Sequence, residues 1–289
     1  MAFRRTKTFL EMIKFEHTIF ALPFAYVGAL LTGKKIPAAH DIIWITLAMV
    51  GARTSAMSLN RIIDRRIDAR NPRTAGRALP KGLLSVVEVW VYTIISLALL
   101  FYSAYQLSPL AFKLFPLAVV VLLIYSYTKR FSWTCHLFLG ATLGLAPLGS
   151  WIAIAGRADM APVVLALGVL FWVAGFDIIY ACDDYEFDRR EGIHSIPARF
   201  GIRKALMISM VFHIVALVLF IATGLILKLG IFYFVGVMAA VVILLYQHTL
   251  VRPDDLSRAG IAFFNLNGIL SIVVFVFTFL DVLYPLHLF

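Results

Sequence analysis

The chain has 289 residues, 62% of them hydrophobic and 15% charged, with a mean hydropathy of +0.91 and a formal net charge of +10. A soluble domain is closer to half apolar and a quarter charged, so a water-soluble globule is excluded. No short alternating strands of a transmembrane barrel are visible, and the two cysteines, Cys135 and Cys182, suggest neither a disulfide framework nor a zinc site.

The N-terminus, Met1 to Lys14, is short and basic, and no small-residue cleavage site follows the first apolar run. That run reads as part of a mature membrane span, not a removed signal. Apolar runs long enough to cross a bilayer then recur along the whole chain. They predict nine spans, at roughly 17–33, 41–60, 85–104, 109–126, 134–155, 161–182, 205–227, 229–250 and 262–284. No linker or low-complexity tract divides them, so the expectation is an all-α polytopic membrane protein, nine transmembrane helices in one bundle, forming a single domain over 1–289.

The charges orient this bundle. The N-terminus and the loops after spans two, four, six and eight carry 20 of the 26 Lys and Arg, the opposite side carries 5 (Lys34, Lys35, Lys113, Arg157, Lys228), and Arg53 lies inside span two. Positive residues stay on the cytoplasmic side. The N-terminus is therefore expected in the cytoplasm, and the basic charge needs no nucleic-acid partner. No obligate protein partner is evident either; the surrounding medium is membrane lipid.

That rule explains the bases but not the acids. Eight of the 16 Asp and Glu lie in or beside the segments after spans two and six, about 60–82 and 177–201. In the first segment Asn60, Asp64 and Asp68 are spaced i, i+4 and i+8. On a continuing helix they share one face over about 12 Å of axis. Pro72 is expected to end that helix. In the second segment Asp184 and Asp188 are again one turn apart, with Asp177 nearly two turns earlier. Carboxylates stacked at i, i+4 repel, increasingly so where water is scarce. A divalent cation removes the repulsion. Mg²⁺ is held by oxygen ligands, typically one or two carboxylates plus substrate phosphates. Arginines suit the phosphates, being planar, permanently charged and bidentate. The alternative is a solvated loop whose acids pair with its own arginines. Two pairs at matched spacing, both at cytoplasmic span ends, favour a diphosphate site instead.

These segments resemble the two aspartate-rich motifs of the UbiA superfamily of intramembrane prenyltransferases. The first family pattern, N-D-x-x-D-x-x-x-D, is matched at Asn60, Asp64 and Asp68; the second, D-x-x-x-D, at Asp184 and Asp188 after Tyr180-Ala181. The tail Arg73-Thr74-x-x-Arg77-x-Leu79-Pro80-x-Gly82 and the Tyr125-x-x-x-Lys129 segment are also similar to the family's. One position departs: Arg61 stands where the family usually has the first Asp. The stretch from Phe15 to Pro23 and the Asn60-Arg61 variant resemble the bacterial 4-hydroxybenzoate branch and the related branch that prenylates a futalosine-derived aromatic in menaquinone biosynthesis.

The resemblance implies a central cavity opening to the cytoplasmic side of a bacterial inner membrane. It implies transfer of a polyprenyl group from a polyprenyl diphosphate to a small aromatic acceptor in quinone biosynthesis. Asn60, Asp64, Asp68, Asp184 and Asp188 would hold Mg²⁺. Arg61, Arg73, Arg77, Tyr125 and Lys129, with Tyr180 and His194 beside the second motif, would meet the diphosphate. Asp177, an ionisable group inside a span, is functional by default; it resembles a family Asp that engages the acceptor hydroxyl or takes its proton. Arg53 would meet an acceptor carboxylate or pair with Asp177. His17 and His136 read as satisfied polar residues at span ends, and Asn265 and Asn267 as inter-helix hydrogen-bonding groups. A non-enzymatic reading, an ion-coupled transporter, would place its acids near the membrane midplane.

Overall fold

In hydrocarbon every backbone N–H and C=O must find a partner within the protein, so long apolar runs form helices. The computed structural model, which describes residues 2–14 and 20–286, bears this out. The helices are α1 (Ala2–Met12), α2 (Leu22–Leu31), α3 (Ala39–Arg70), α4 (Val86–Leu107), α5 (Pro109–Thr128), α6 (Cys135–Ala155), α7 (Met160–Ala181), α8 (Tyr185–Glu191), α9 (Ile196–Phe200), α10 (Ile202–Leu227), α11 (Ile231–Leu250), α12 (Ala259–Ile261) and α13 (Asn267–Leu283). The protein is an all-α integral membrane protein.

Among the described residues, eight helical stretches are long and apolar enough to cross a membrane. They coincide with eight of the nine expected spans. The first expected span, 17–33, differs. Its described part is the ten-residue α2, with Pro23 in its first turn, which at 1.5 Å per residue covers only about 15 Å. Residues 15–19 lie outside the described residues, and with them His17 and most of the stretch compared above.

The second span is longer than expected. Its helix continues ten residues past the predicted end to Arg70 and closes on Asn71, just before Pro72. The first aspartate motif is therefore helical, and the loop proper begins after it. The hydroxyl of Thr74 donates to the Asp68 carbonyl at 3.0 Å, satisfying one of the carbonyls that the helix end leaves open. The sixth span breaks after Ala181 into a tight turn, Cys182–Asp184, before α8 resumes. The second motif thus straddles a kink.

Close packing of small residues holds α6 against α7. A side chain at Gly140 would place its Cβ 2.2 Å from the Leu170 carbonyl oxygen, and one at Gly144 would lie 2.6 Å from that of Ala166. Glycine at this i, i+4 spacing lets the two backbones touch. Below them, Phe24, Trp172, Phe176, Phe220 and Tyr233 fill the core between α2, α7, α10 and α11. Outward positions such as Ile94, Leu117, Met207 and Leu245 are exposed and apolar, as lipid-facing positions must be.

The N-terminal α1 packs sideways on this frame. Phe9, Met12 and Ile13 are buried against Ala78, Leu84 and Val89, with Phe9 stacked on Tyr92 at 4.1 Å.

Candidate active site

A cavity of about 770 Å³ opens where α3, α6, α7 and the turns after α3 and α7 meet. Its wall includes Asn60, Arg61, Asp64, Asp68, Arg73, Arg77, Tyr125, Lys129, Asp177, Tyr180, Asp184 and Asp188, along with Arg53. The sequence motifs, separated by more than a hundred residues, converge on one space. His194 does not: it is exposed, and only its backbone takes part, its N–H donating to the Lys129 carbonyl at 2.8 Å and its carbonyl accepting from Cys135 Sγ. The role expected for its imidazole is therefore withdrawn.

The acids are buried and matched to bases. Asp64 is 1% exposed and takes Lys129 Nζ at 2.5 Å on Oδ2 and Arg130 Nη2 at 2.8 Å on Oδ1. Asn60 Nδ2 also donates to Asp64 Oδ2 at 2.9 Å, the i, i+4 contact that the spacing predicted. Asp68, 4% exposed, takes Arg77 Nη1 at 2.7 Å on Oδ1. Its Oδ2 is buried with no hydrogen-bond partner, and Arg61 Nη1 stands 3.9 Å away.

Arg61 fills the place of the usual family Asp differently from a carboxylate. It donates from Nη1 to Asn60 Oδ1 at 3.1 Å and from Nε to the Met12 carbonyl at 3.3 Å. It therefore ties α3 to the end of α1 at the cavity rim.

The second motif is held from across the bundle. Arg73 grips Asp184 with two parallel contacts, Nε to Oδ1 and Nη2 to Oδ2, and its Nη1 donates to the Tyr180 hydroxyl. Asn71 Nδ2 adds a 2.9 Å bond to Asp184 Oδ1. Burial works against the Arg73 charge, but hydrogen bonding to Asp184 outweighs it and pushes the guanidinium pKa above its ordinary value, leaving a permanent cation. Asp188, 8% exposed, accepts from Ser195 Oγ at 2.9 Å.

Deeper in the cavity, Asp177 Oδ2 bonds His136 Nδ1 at 2.7 Å. The other ring nitrogen, Nε2, accepts the Ile196 backbone N–H at 3.3 Å. An acceptor at Nε2 places the proton on Nδ1, which donates to Asp177. Tyr125, at the far wall, donates from its hydroxyl to the Ala56 carbonyl at 3.2 Å.

The donor set suits a hard divalent cation. Carboxylates and one amide oxygen are the oxygen ligands Mg²⁺ prefers, and the buried Asp68 Oδ2 accepts no hydrogen bond. Among the described residues no three acidic, His or Cys groups form a ready-made cage.

A second cavity, of about 300 Å³, lies between α3, α4, α5 and α6. Its lining is almost wholly apolar, and Arg53, Met57, Tyr125, Leu139 and Leu143 border both spaces.

A family profile described as the UbiA prenyltransferase family matches residues 21–269. The chain belongs to this family. The apo structure of a UbiA homologue from Aeropyrum pernix is similar at 36% identity with a TM-score of 0.85, over 92% of this chain and 98% of that one. A UbiA homologue from Archaeoglobus fulgidus bound to GPP and Mg²⁺ shares the fold, with a TM-score of 0.75 at 20% identity over 95% of this chain and 99% of that one. The 4-hydroxybenzoate octaprenyltransferase of Shewanella pealeana is 28% identical over 265 residues, 92% of this chain and 89% of its own length.

Several UbiA-site residues had no signal in the motifs. Arg130 and Asn71 sit beside motif residues but read as loop composition. His136 was taken for a satisfied polar group; it is satisfied, but by Asp177. Its position opening an apolar span was the available hint. Phe20, Phe176 and Phe263, which also line the cavity, are indistinguishable in sequence from lipid-facing aromatics.

Proposed function

We propose that this UbiA protein is a single intramembrane domain that transfers a polyprenyl group from an allylic polyprenyl diphosphate to a small aromatic acceptor, with 4-hydroxybenzoate the leading candidate. The observation that carries this is a pair of adjoining cavities that share Arg53, Met57, Tyr125, Leu139 and Leu143 and offer three kinds of wall. The large cavity carries paired acids and bases and the Asp177–His136 hydrogen bond, with Arg53 also on its wall; the second cavity is apolar.

Each wall suits one part of the reaction. Arg73, Arg77, Lys129 and Arg130 would hold the diphosphate electrostatically. Mg²⁺, held by Asp64, Asp68, Asp184, Asp188 and the Asn60 amide oxygen, would neutralise the negative charge that builds on the leaving group. The prenyl chain would extend into the apolar cavity toward lipid. The carbon–oxygen bond breaks with its electron pair leaving on the diphosphate. The aromatic ring of the acceptor attacks the allylic carbon through a ring carbon, and the ring proton passes out. Asp177, held by His136 on Oδ2, keeps Oδ1 for the acceptor hydroxyl or its proton. Arg53, bordering both cavities, is placed for an acceptor carboxylate. Membrane burial keeps water from the cation.

The rim is proposed to open to the cytoplasm of a bacterial inner membrane, as the charge distribution of the loops supports. The Asn60-Arg61 variant also suits the branch that prenylates a futalosine-derived aromatic. An ion-coupled transporter is disfavoured because the acid pairs stand at the ends of α3 and α7 and not at broken helices in mid-membrane.

An acceptor panel tests the assignment. Membranes bearing the protein, given one polyprenyl diphosphate and Mg²⁺, should form a prenylated product with 4-hydroxybenzoate. Product with a futalosine derivative alone would move the protein to the second branch. Product with no aromatic acceptor at all would remove the proposal.

A further inference from the structure

The last membrane helix is irregular. Between α12 and α13, residues Ala262–Leu266 form a π-turn, an insertion that often marks a functional site. Such a turn takes backbone carbonyls off the regular ladder, and in a membrane these must be satisfied from elsewhere. Asn267, fully buried, does this: its Nδ2 donates to the Ala262 and Phe263 carbonyls, each at 2.9 Å. Its Oδ1 in turn accepts Trp172 Nε1 of α7 at 2.9 Å. Every polar atom of the amide group is used in holding the turn open and pinning it to α7.

What the turn delivers is Phe263. The ring stacks on Tyr180 with centroids 4.2 Å apart, and meets Phe176 at 5.4 Å and Phe20 at 5.7 Å in edge-on contacts. All four rings line the large cavity. The Arg73 guanidinium covers Tyr180 at 4.6 Å from its centroid. Tyr180 stands about one turn after Asp177 on α7 and four residues before Asp184, which ends the tight turn that follows. It lies between the group that would take the acceptor's proton and the group beside the diphosphate.

Between those two ends the breaking bond must sit. The wall there carries no charge from Phe176 or Phe263, and the one oxygen on it, that of Tyr180, already accepts a hydrogen bond from Arg73. An aromatic wall stabilises a cation through its electron-rich faces and offers no atom that would capture it.

Building on the prenyltransferase reading, we propose that Phe176 and Phe263, with Tyr180 stacked behind Phe263, are the surface against which the allylic cation forms. Asn267 is the positioning residue that sets Phe263 in this wall through the π-turn. The prenyl carbon, having lost its diphosphate, is held against these rings until the acceptor carbon bonds to it.

The test uses the full-length protein in membranes or nanodiscs, a polyprenyl diphosphate, Mg²⁺ and the aromatic acceptor found active. Replacing Phe263 with phenylalanines of increasing ring fluorination weakens the π-face while keeping the shape. The expected result is a stepwise fall in kcat, reaching about tenfold, with KM for the prenyl diphosphate nearly constant. Phe263→Leu should fall similarly and should divert product from prenylated acceptor to prenyl alcohol, because water then reaches the cation. Asn267→Ala should reproduce that diversion, and Phe263→Leu/Asn267→Ala should be no worse than either single change. A kcat flat across the fluorinated series overturns the role of the wall. Additive losses in the double variant overturn the positioning role of Asn267. Both outcomes leave the wild-type transfer activity in place, so they are distinguishable from a failure of the prenyltransferase reading, in which the unaltered protein forms no product.

Discussion

Asp177 and His136 lie 41 residues apart and share a 2.7 Å hydrogen bond on the wall of the large cavity. The backbone N–H of Ile196, at the start of α9, locks the far side of the same imidazole. A carboxylate inside a span, held on one oxygen by a histidine whose far ring nitrogen is itself engaged, is suited to a proton on the substrate. Asp177→Asn should therefore lower kcat by roughly 10²–10⁴-fold, the range for loss of a positioned general base. KM for the prenyl diphosphate should change little. His136→Ala should show a smaller loss of the same kind. An Asp177→Asn enzyme with normal kcat would remove this residue from the chemistry.

Arg73 binds Asp184 through two parallel contacts and also reaches Tyr180. Arg73→Lys keeps the charge but loses the fork. The expected outcome, read from steady-state kinetics, is a KM for prenyl diphosphate raised about tenfold, as for loss of a charge-assisted contact. Arg73→Ala should be worse. An unchanged KM in both would show that Arg73 merely braces the loop.

The apolar cavity should set the reach of the substrate tail. Ala118 on α5 lines it, and Ala118→Trp would fill much of its volume. Turnover of a short allylic diphosphate should survive this change, while a long polyprenyl diphosphate should lose kcat/KM by about tenfold or more. Equal losses on short and long chains would place the tail elsewhere.

The seam between α6 and α7 carries the Asp–His pair, so its fit should govern both stability and activity. At Gly140 an added Cβ would meet the Leu170 carbonyl oxygen at 2.2 Å. Gly140→Val is expected to destabilise the protein by about 1–3 kcal/mol through overpacking. Thermal unfolding in detergent would register this as a lower Tm, alongside reduced turnover.

The helices were legible in the sequence because hydrocarbon demands long apolar runs and leaves little choice of backbone. The aspartates at 60–68 and 184–188 were legible because like charges one turn apart are unfavourable without a shared partner. The rest depends on contacts distant in the chain. Nothing in the local spacing of His136 points to Asp177, and nothing in that of Arg73 points to Asp184; packing of α6 on α7, and of the loop after α3 over α7, makes those pairs. The π-turn at Ala262–Leu266 left no mark in the hydropathy, because its decisive residue, Asn267, looks like any polar group bonding between helices. Sequence proximity to a motif does not tell which way a loop turns, and His194 is not part of the cavity wall.

The central claim is that the two aspartate motifs act together on a prenyl diphosphate. The most direct test follows a labelled polyprenyl diphosphate and an aromatic acceptor in membranes bearing the protein, counting diphosphate released and prenylated product formed. The account predicts equal amounts of both, no reaction after chelation of divalent metal, and loss of about a hundredfold or more in kcat for Asp64→Asn and for Asp184→Asn. Full activity in either variant, or product formed undiminished in the presence of a chelator, would contradict it.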